Sequence, residues 1–144
     1  VGIKDSSGDW DNTKGMLDRG WDDFRVFAGS ETFLLQTMRS GGAGCISATA
    51  NVNPAAIHNL YANWQSDEAG ALQKELNDIR FTFQAFPMIP ALKAAAGHWS
   101  SDDQWDEVLP PLVALTAEQK SQLIVELNKR NFDMPGLAQA AAPE

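Results

Sequence analysis

Cysteine is almost missing from this sequence. Cys45 stands alone among 144 residues, which excludes an internal disulfide and fits a reducing compartment such as the cytoplasm. It lies in an apolar, glycine-rich stretch and reads as core filling before it reads as a nucleophile. Long apolar runs are lacking too, and none approaches the roughly 20 residues of a membrane-spanning helix. Basic residues are scarce: 11 Lys and Arg face 19 Asp and Glu, for a net charge of −8. That balance argues against nucleic acid or an anionic membrane as partner, because both attract basic surfaces. No Walker loop, Rossmann glycine fingerprint, zinc spacing or Ser-His-Asp arrangement is present. Gly41-Gly42-Ala43-Gly44 precedes a strand pattern instead of opening a helix, so it is a poor phosphate cradle. His58 and His98 have no carboxylate or cysteine at a useful spacing and read as structural or surface residues. Asp102, Asp103, Asp106 and Glu107 lack an ordered ligand spacing, so a solvated loop fits them better than a metal site.

What is present is a soluble globular composition, 44% hydrophobic and 21% charged, on a chain long enough for a real core. The first third alternates strand and helix at short spacing. Val1-Gly2-Ile3 carries Lys4 to the end of a strand, and a helix is expected from Gly8 to Arg19, capped by Ser6 or Ser7 and ended by Gly20. A second strand over Phe24 to Gly29 leads to a helix over Thr32 to Ser40. A third strand over Ala43 to Ala48 leads, through Pro54, into one long helix or two running to about Gln84. Pro87 and Pro90 interrupt the pattern, and a short alanine-rich helix follows over Ala91 to Ala96. Gly97 to Pro111 reads as a loop, Thr116 with Gln119 opens a last helix ending near Asn131, and Met134 to Glu144 reads as a loose tail.

Short strands alternating with helices make a parallel α/β arrangement. Their carboxyl ends bring Lys4, Gly29-Ser30-Glu31 and Ser47-Ala48 to one edge, where ligands bind in barrels and open α/β sheets alike. A lysine at such an edge is well placed to act as an amine nucleophile once it is neutral. Taken by itself, Lys4 is more commonly read as a surface lysine near a terminus. The blocks that follow it change that reading.

Gly2-Ile3-Lys4-Asp5-Ser6-Ser7-Gly8-Asp9, Phe27-Ala28-Gly29-Ser30-Glu31, and Gly42 to Asn51 followed by Pro54 resemble the carboxyl-terminal half of the dihydrodipicolinate synthase / N-acetylneuraminate lyase superfamily. The spacing between the blocks fits as well. These are pyruvate-handling, lysine-dependent aldolases and synthases on a (β/α)8 TIM barrel. The resemblance implies that the three strands are the sixth, seventh and eighth of the barrel, with residues 1–65 completing it and residues 66–144 forming a helical extension. It implies that Lys4 is the Schiff-base lysine that condenses with a 2-oxo acid, usually pyruvate. It implies that Ser6 contacts the variable part of the substrate, that Gly29, Ser30 and Glu31 hold the second substrate, and that Ile46, Ser47 and Ala48 line the wall beside pyruvate. A protonated imine is itself an electron sink, so no metal or cofactor is expected.

The sequence departs from the synthases, which read more like Lys-Glu-Ala-Thr-Gly and Gly-Asp-Asp at these positions, and from the sialic-acid lyases, which carry an aromatic where Ser30 stands. The preferred substrate is therefore a 2-keto-3-deoxy sugar acid or 4-hydroxy-2-oxoacid. Dihydrodipicolinate synthase itself, and an inert half-barrel serving in binding or oligomerisation, remain as alternatives. The family's carboxylate-binding loop and proton-relay tyrosine belong to earlier strands, and Tyr61, the one tyrosine, falls in the helix after the last strand. A complete barrel takes about 250 residues. The chain, which opens without Met inside a strand pattern, is expected to be a fragment or one half of a split protein. Its expected partners are the amino-terminal half of the barrel and, in a dimer or tetramer, further copies.

Overall fold

A computed structural model describes residues 1–137. The chain divides into two compact units, Val1–Asn77 and Asp78–Glu144, with the division inside one helix. Among the described residues no helix is long and apolar enough to cross a membrane.

The first unit is built on a three-stranded parallel sheet in sequence order, β1 (Gly2–Asp5), β2 (Arg25–Ala28) and β3 (Gly44–Cys45). Register places Lys4 level with Phe27 and Gly44, and Asp5 level with Ala28 and Cys45. β1 and β2 are joined by α1 (Trp10–Leu17) and β2 and β3 by α2 (Leu34–Arg39); α3 (Pro54–Ala62) and α4 (Ala69–Gln84) follow the sheet. The core collects Leu34 and Leu35 of α2, Ile57 and Leu60 of α3, and Ala69 and Leu76 of α4, with Cys45 packed against it. The parallel order and the break into two helices after β3 agree with the sequence pattern.

Three local expectations are corrected. Neither Ser6 nor Ser7 caps α1. Asp9 does, accepting from the Asp11 amide at 3.0 Å, because the Ser7 hydroxyl is committed to the Asp5 carboxylate at 3.0 Å. The helix after β2 starts with a tight 3-10 turn over Glu31–Phe33, capped by Ser30, before α2 proper begins at Leu34. The third strand ends far short of Ala48. The Ile46 amide still bonds the Ala28 carbonyl at 2.8 Å, but from Ser47 the chain bends into a 3-10 segment, Ala48–Asn51, where the Ser47 and Thr49 hydroxyls turn to Glu31.

The second unit contains the end of α4, α5 (Met88–Ser100), a 3-10 turn over Asp103–Asp106 and α6 (Ala117–Asn128). α5 is longer than the alanine-rich run because Pro90 falls in its first turn, where amides have no helical partner to lose. It also reaches past Gly97, so His98 belongs to its last turn and not to a loop. Ser101 at φ +55° then closes the helix. Asp102 caps the following turn through the Gln104 amide at 3.0 Å, and Asp106 pairs with Lys120. Thr116 and Gln119 form the expected capping box, with bonds of 3.2 and 2.9 Å. α6 stops at Asn128, three residues before the expected Asn131. The core packs Phe83, Leu123, Leu127 and Phe132, with the Phe83 and Phe132 rings edge to face at 5.7 Å. Met134 is buried, so the chain at that point is part of the core instead of a loose tail. Residues 138–144 of that expected tail lie outside the described residues.

Candidate active site

β1 ends in alternation: Asp5 turns its side chain inward to α1, so Lys4 points to the opposite face of the sheet, where it is exposed. Asp5 is the anchor of this end. Its carboxylate accepts from the Thr13 hydroxyl at 2.6 Å, the Ser7 amide at 2.9 Å and the Ser7 hydroxyl at 3.0 Å. Burial raises its pKa, but these bonds and one from Asn12 lower it further, and the carboxyl ionises below its ordinary value. The turn that carries Ser6 away from Lys4 is thereby tied to the buried side of α1.

The end of β2 is held against β1 by close backbone approach. A side chain at Gly29 would put its Cβ 2.5 Å from the Asp5 carbonyl oxygen and 3.0 Å from Ser6 Oγ, so only glycine fits. Ser30 follows, half-buried, its hydroxyl 2.9 Å from that of Thr32 and accepting the Thr32 amide at 3.3 Å. Glu31 turns the other way. It is 1% exposed, and its two carboxylate oxygens accept from the hydroxyls of Ser47 and Thr49, which stand 3.2 Å from each other. Gln73 of α4 donates to the Glu31 carbonyl at 2.9 Å and accepts the Leu35 amide at 2.9 Å. Ile46, 49% exposed, sits where β3 gives way to the turn, with Ser47 buried behind it and Ala48 half-buried. Cys45 lies between the core and this polar cluster. Burial and the negative charge of Glu31 push its thiol up to about 11.

The structure therefore brings Lys4, Ser6, Gly29, Ser30, Ile46 and Ala48 to the carboxyl ends of three adjacent parallel strands, with Glu31 and Ser47 underneath them as a buried pair. Parallel α/β sheets bind their ligands at this end. Sequence reasoning missed Asp5, Thr13, Thr49 and Gln73, which hold the strand ends. The acid beside Lys4 was visible in the sequence, but its hydroxyl partner eight residues on and the amide of Gln73, 42 residues from Glu31, carried no local signal. The second unit has a separate cleft of about 390 Å³ lined by His98, Asp103, Asp106 and Lys120, in which Asp106 and Lys120 already pair with each other.

The sequence profile of the dihydrodipicolinate synthetase family matches residues 1–130. The chain belongs to that family. It is 32% identical over 123 residues to an uncharacterized DapA-like lyase of Chloroflexus aurantiacus, covering 85% of this chain and 40% of that protein. It is 35% identical over 136 residues to the 4-hydroxy-tetrahydrodipicolinate synthase of Methanopyrus kandleri, covering 90% of this chain and 43% of that one. Among solved structures it superposes with a TM-score of 0.80 and 26% identity on YagE, a prophage protein of E. coli K12 belonging to the dihydrodipicolinic acid synthase family and solved in complex with pyruvate; 92% of this chain and 46% of that one are covered. The chain thus spans less than half the length of the relatives it matches. Its fold is the last part of a (β/α)8 TIM barrel, strands six to eight, followed by the family's carboxyl-terminal helical extension.

Proposed function

We propose that the complete protein is a class I lyase or aldolase that makes or breaks a C–C bond to pyruvate through an imine on Lys4. The observation that carries this reading is the placement of Lys4: exposed at the carboxyl end of β1, on the face opposite the anchored Asp5, at the same sheet end as Gly29, Ser30 and Ile46. Family membership and the pyruvate complex of the E. coli relative support it.

In this reading the neutral Lys4 amine adds to the keto carbon of pyruvate, and loss of water leaves a protonated imine. The imine withdraws electrons, so a proton leaves the methyl carbon to give an enamine. The enamine attacks an aldehyde carbon, and water then hydrolyses the imine, freeing Lys4; cleavage runs the same steps backwards. Ser6, the Gly29-Ser30 turn and the wall of Ile46 and Ala48 would meet the aldehyde-derived part. A hydroxylated chain, as in a 2-keto-3-deoxy sugar acid or 4-hydroxy-2-oxoacid, suits the polar Ser6 and Ser30.

The site is completed by the first five strands, which we propose pair along the open edges of β1 and β3, because a barrel closes only when both edges are covered. Further copies in a dimer or tetramer are part of the same proposal. The lone Cys45 supports a reducing, cytoplasmic setting.

Borohydride reduction of the complete protein with pyruvate, followed by peptide mass mapping, tests the reading. The expected result is one reduced pyruvate adduct on Lys4, absent in Lys4→Ala, with turnover lowered by about a thousandfold or more. Unchanged turnover in Lys4→Ala eliminates the imine on Lys4, whereas a complete wild type with neither adduct nor turnover favours an inert half-barrel. A second reading, dihydrodipicolinate synthase, is favoured by the Methanopyrus kandleri relative; turnover of pyruvate with aspartate semialdehyde as the best acceptor would establish it in place of the sugar-acid reading.

A further inference from the structure

We infer that Glu31 is a positioning residue: its buried carboxylate clamps the turn after β3 to the turn after β2, and the second substrate meets the frame it holds, not Glu31 itself. The inference deepens the Schiff-base reading and rests on it for the identity of the substrates. Its structural part stands independently.

Three observations converge. Glu31 lies below the sheet end at 1% exposure, between two turns that share no local sequence. Its two oxygens take hydroxyl bonds from Ser47 and Thr49, which are 16 and 18 residues away and flank the first residue of the turn after β3. Its backbone is fixed from a third direction, since Gln73 joins the Glu31 carbonyl to the Leu35 amide with bonds of 2.9 Å each. Hydroxyl-to-carboxylate bonds are charge-assisted, and out of water they are worth more than neutral ones. A carboxylate whose two oxygens both accept from scaffold hydroxyls is spent on geometry. What it sets is the spacing between Ser30 on one turn and Ile46 on the other, the two positions that would face an aldehyde beside a Lys4 imine.

The experiment uses the complete protein with Glu31→Gln, Glu31→Ala, Thr49→Val and the double variant Glu31→Ala/Thr49→Val. Two measurements are made: amide hydrogen exchange over Gly29–Thr32 and Ile46–Thr49, and KM and kcat for aldehyde acceptors with and without hydroxyls. Loss of a charge-assisted bond is expected to speed exchange at both turns by about tenfold or more. KM should rise by a similar factor for every acceptor alike, while borohydride trapping of pyruvate on Lys4 is retained. The double variant should be no worse than Glu31→Ala, because both changes break one clamp. A KM penalty confined to hydroxylated acceptors would mean that Glu31 touches substrate and would overturn the inference. So would unchanged exchange at both turns, or additive losses in the double variant. If the wild type traps no pyruvate, the Schiff-base reading fails, and exchange alone then decides whether Glu31 is a clamp.

Discussion

The two units bury different things. The fully or nearly buried polar side chains of the described chain are Asp5, Thr13, Glu31, Thr37, Ser47 and Thr49 in Val1–Asn77, against Thr82 in Asp78–Glu144. The second unit instead fills its interior with Phe83, Leu123, Leu127, Phe132 and alanines of α5. Burying polar groups contributes little net stability even when each is bonded, and it costs about 1–3 kcal/mol wherever a bond is lost. It does fix angles and spacings, because hydrogen bonds are directional whereas apolar contacts are not. In the first unit Asp5, Glu31, Ser47 and Thr49 hold the ends of the strands beside Lys4, while Thr13 and Thr37 belong to α1 and α2. The second is organised for packing.

Removing an apolar anchor of the second unit should have the largest effect on stability. Phe83→Ala deletes a fully buried ring with an edge-to-face partner and is expected to cost about 3–5 kcal/mol in urea unfolding. Amide exchange at Ile46–Thr49, measured under native conditions, should stay as in the wild type. Faster exchange there would mean that the two kinds of interior are not separable.

The first unit should respond to pH through its buried anchor, Asp5. Asp5→Asn is expected to cost about 1–3 kcal/mol near neutrality, since it weakens a carboxylate bonded by Thr13 and Ser7. The folded pKa of Asp5 lies below its ordinary value, so its contribution is present above the ordinary carboxylate range and is lost as pH falls through the lowered value. The gap between wild type and Asp5→Asn should therefore close in acid. Thermal melts of both proteins from neutral to strongly acid pH measure it, and a gap that stays constant would show that ionisation of Asp5 is not what holds the strand end.

The smallest effect belongs to a local device in the second unit. Thr116→Ala removes the hydroxyl half of the capping box at the start of α6 and should cost about 1 kcal/mol, independent of pH. A loss above the Asp5→Asn value would reverse the ranking of local capping and buried polar anchoring.

Much of this was legible in the residues because it depended on near neighbours. Gly2-Ile3-Lys4 announces a strand whose lysine stands one residue before its end at Asp5, and Gly20 at φ +63° closes the turn after α1, although the helix itself stops at Leu17 and not at the expected Arg19. Thr116 and Gln119 bond each other across three residues. The errors arose where a residue took a partner or a position that the local pattern did not announce. Ser7 looked like a helix cap until Asp5 took its hydroxyl, and the strand pattern through Ala48 broke where Ser47 and Thr49 turned to Glu31. Pro90 looked like a barrier, yet a first-turn position asks no amide of it.

By itself the sequence determined the order and direction of the strands, the position of Lys4 at a strand's end, and the family, because periodicity, caps and contiguous motifs are written within a few residues. Only the tertiary structure decided that Asp5 anchors the lysine's strand and that Glu31 lies below the site in the grip of Ser47 and Thr49. A carboxylate has the same side chain whether it faces a substrate or the scaffold. Which of the two it meets is set when parallel strands align their ends and bring together hydroxyls that lie far apart along the chain.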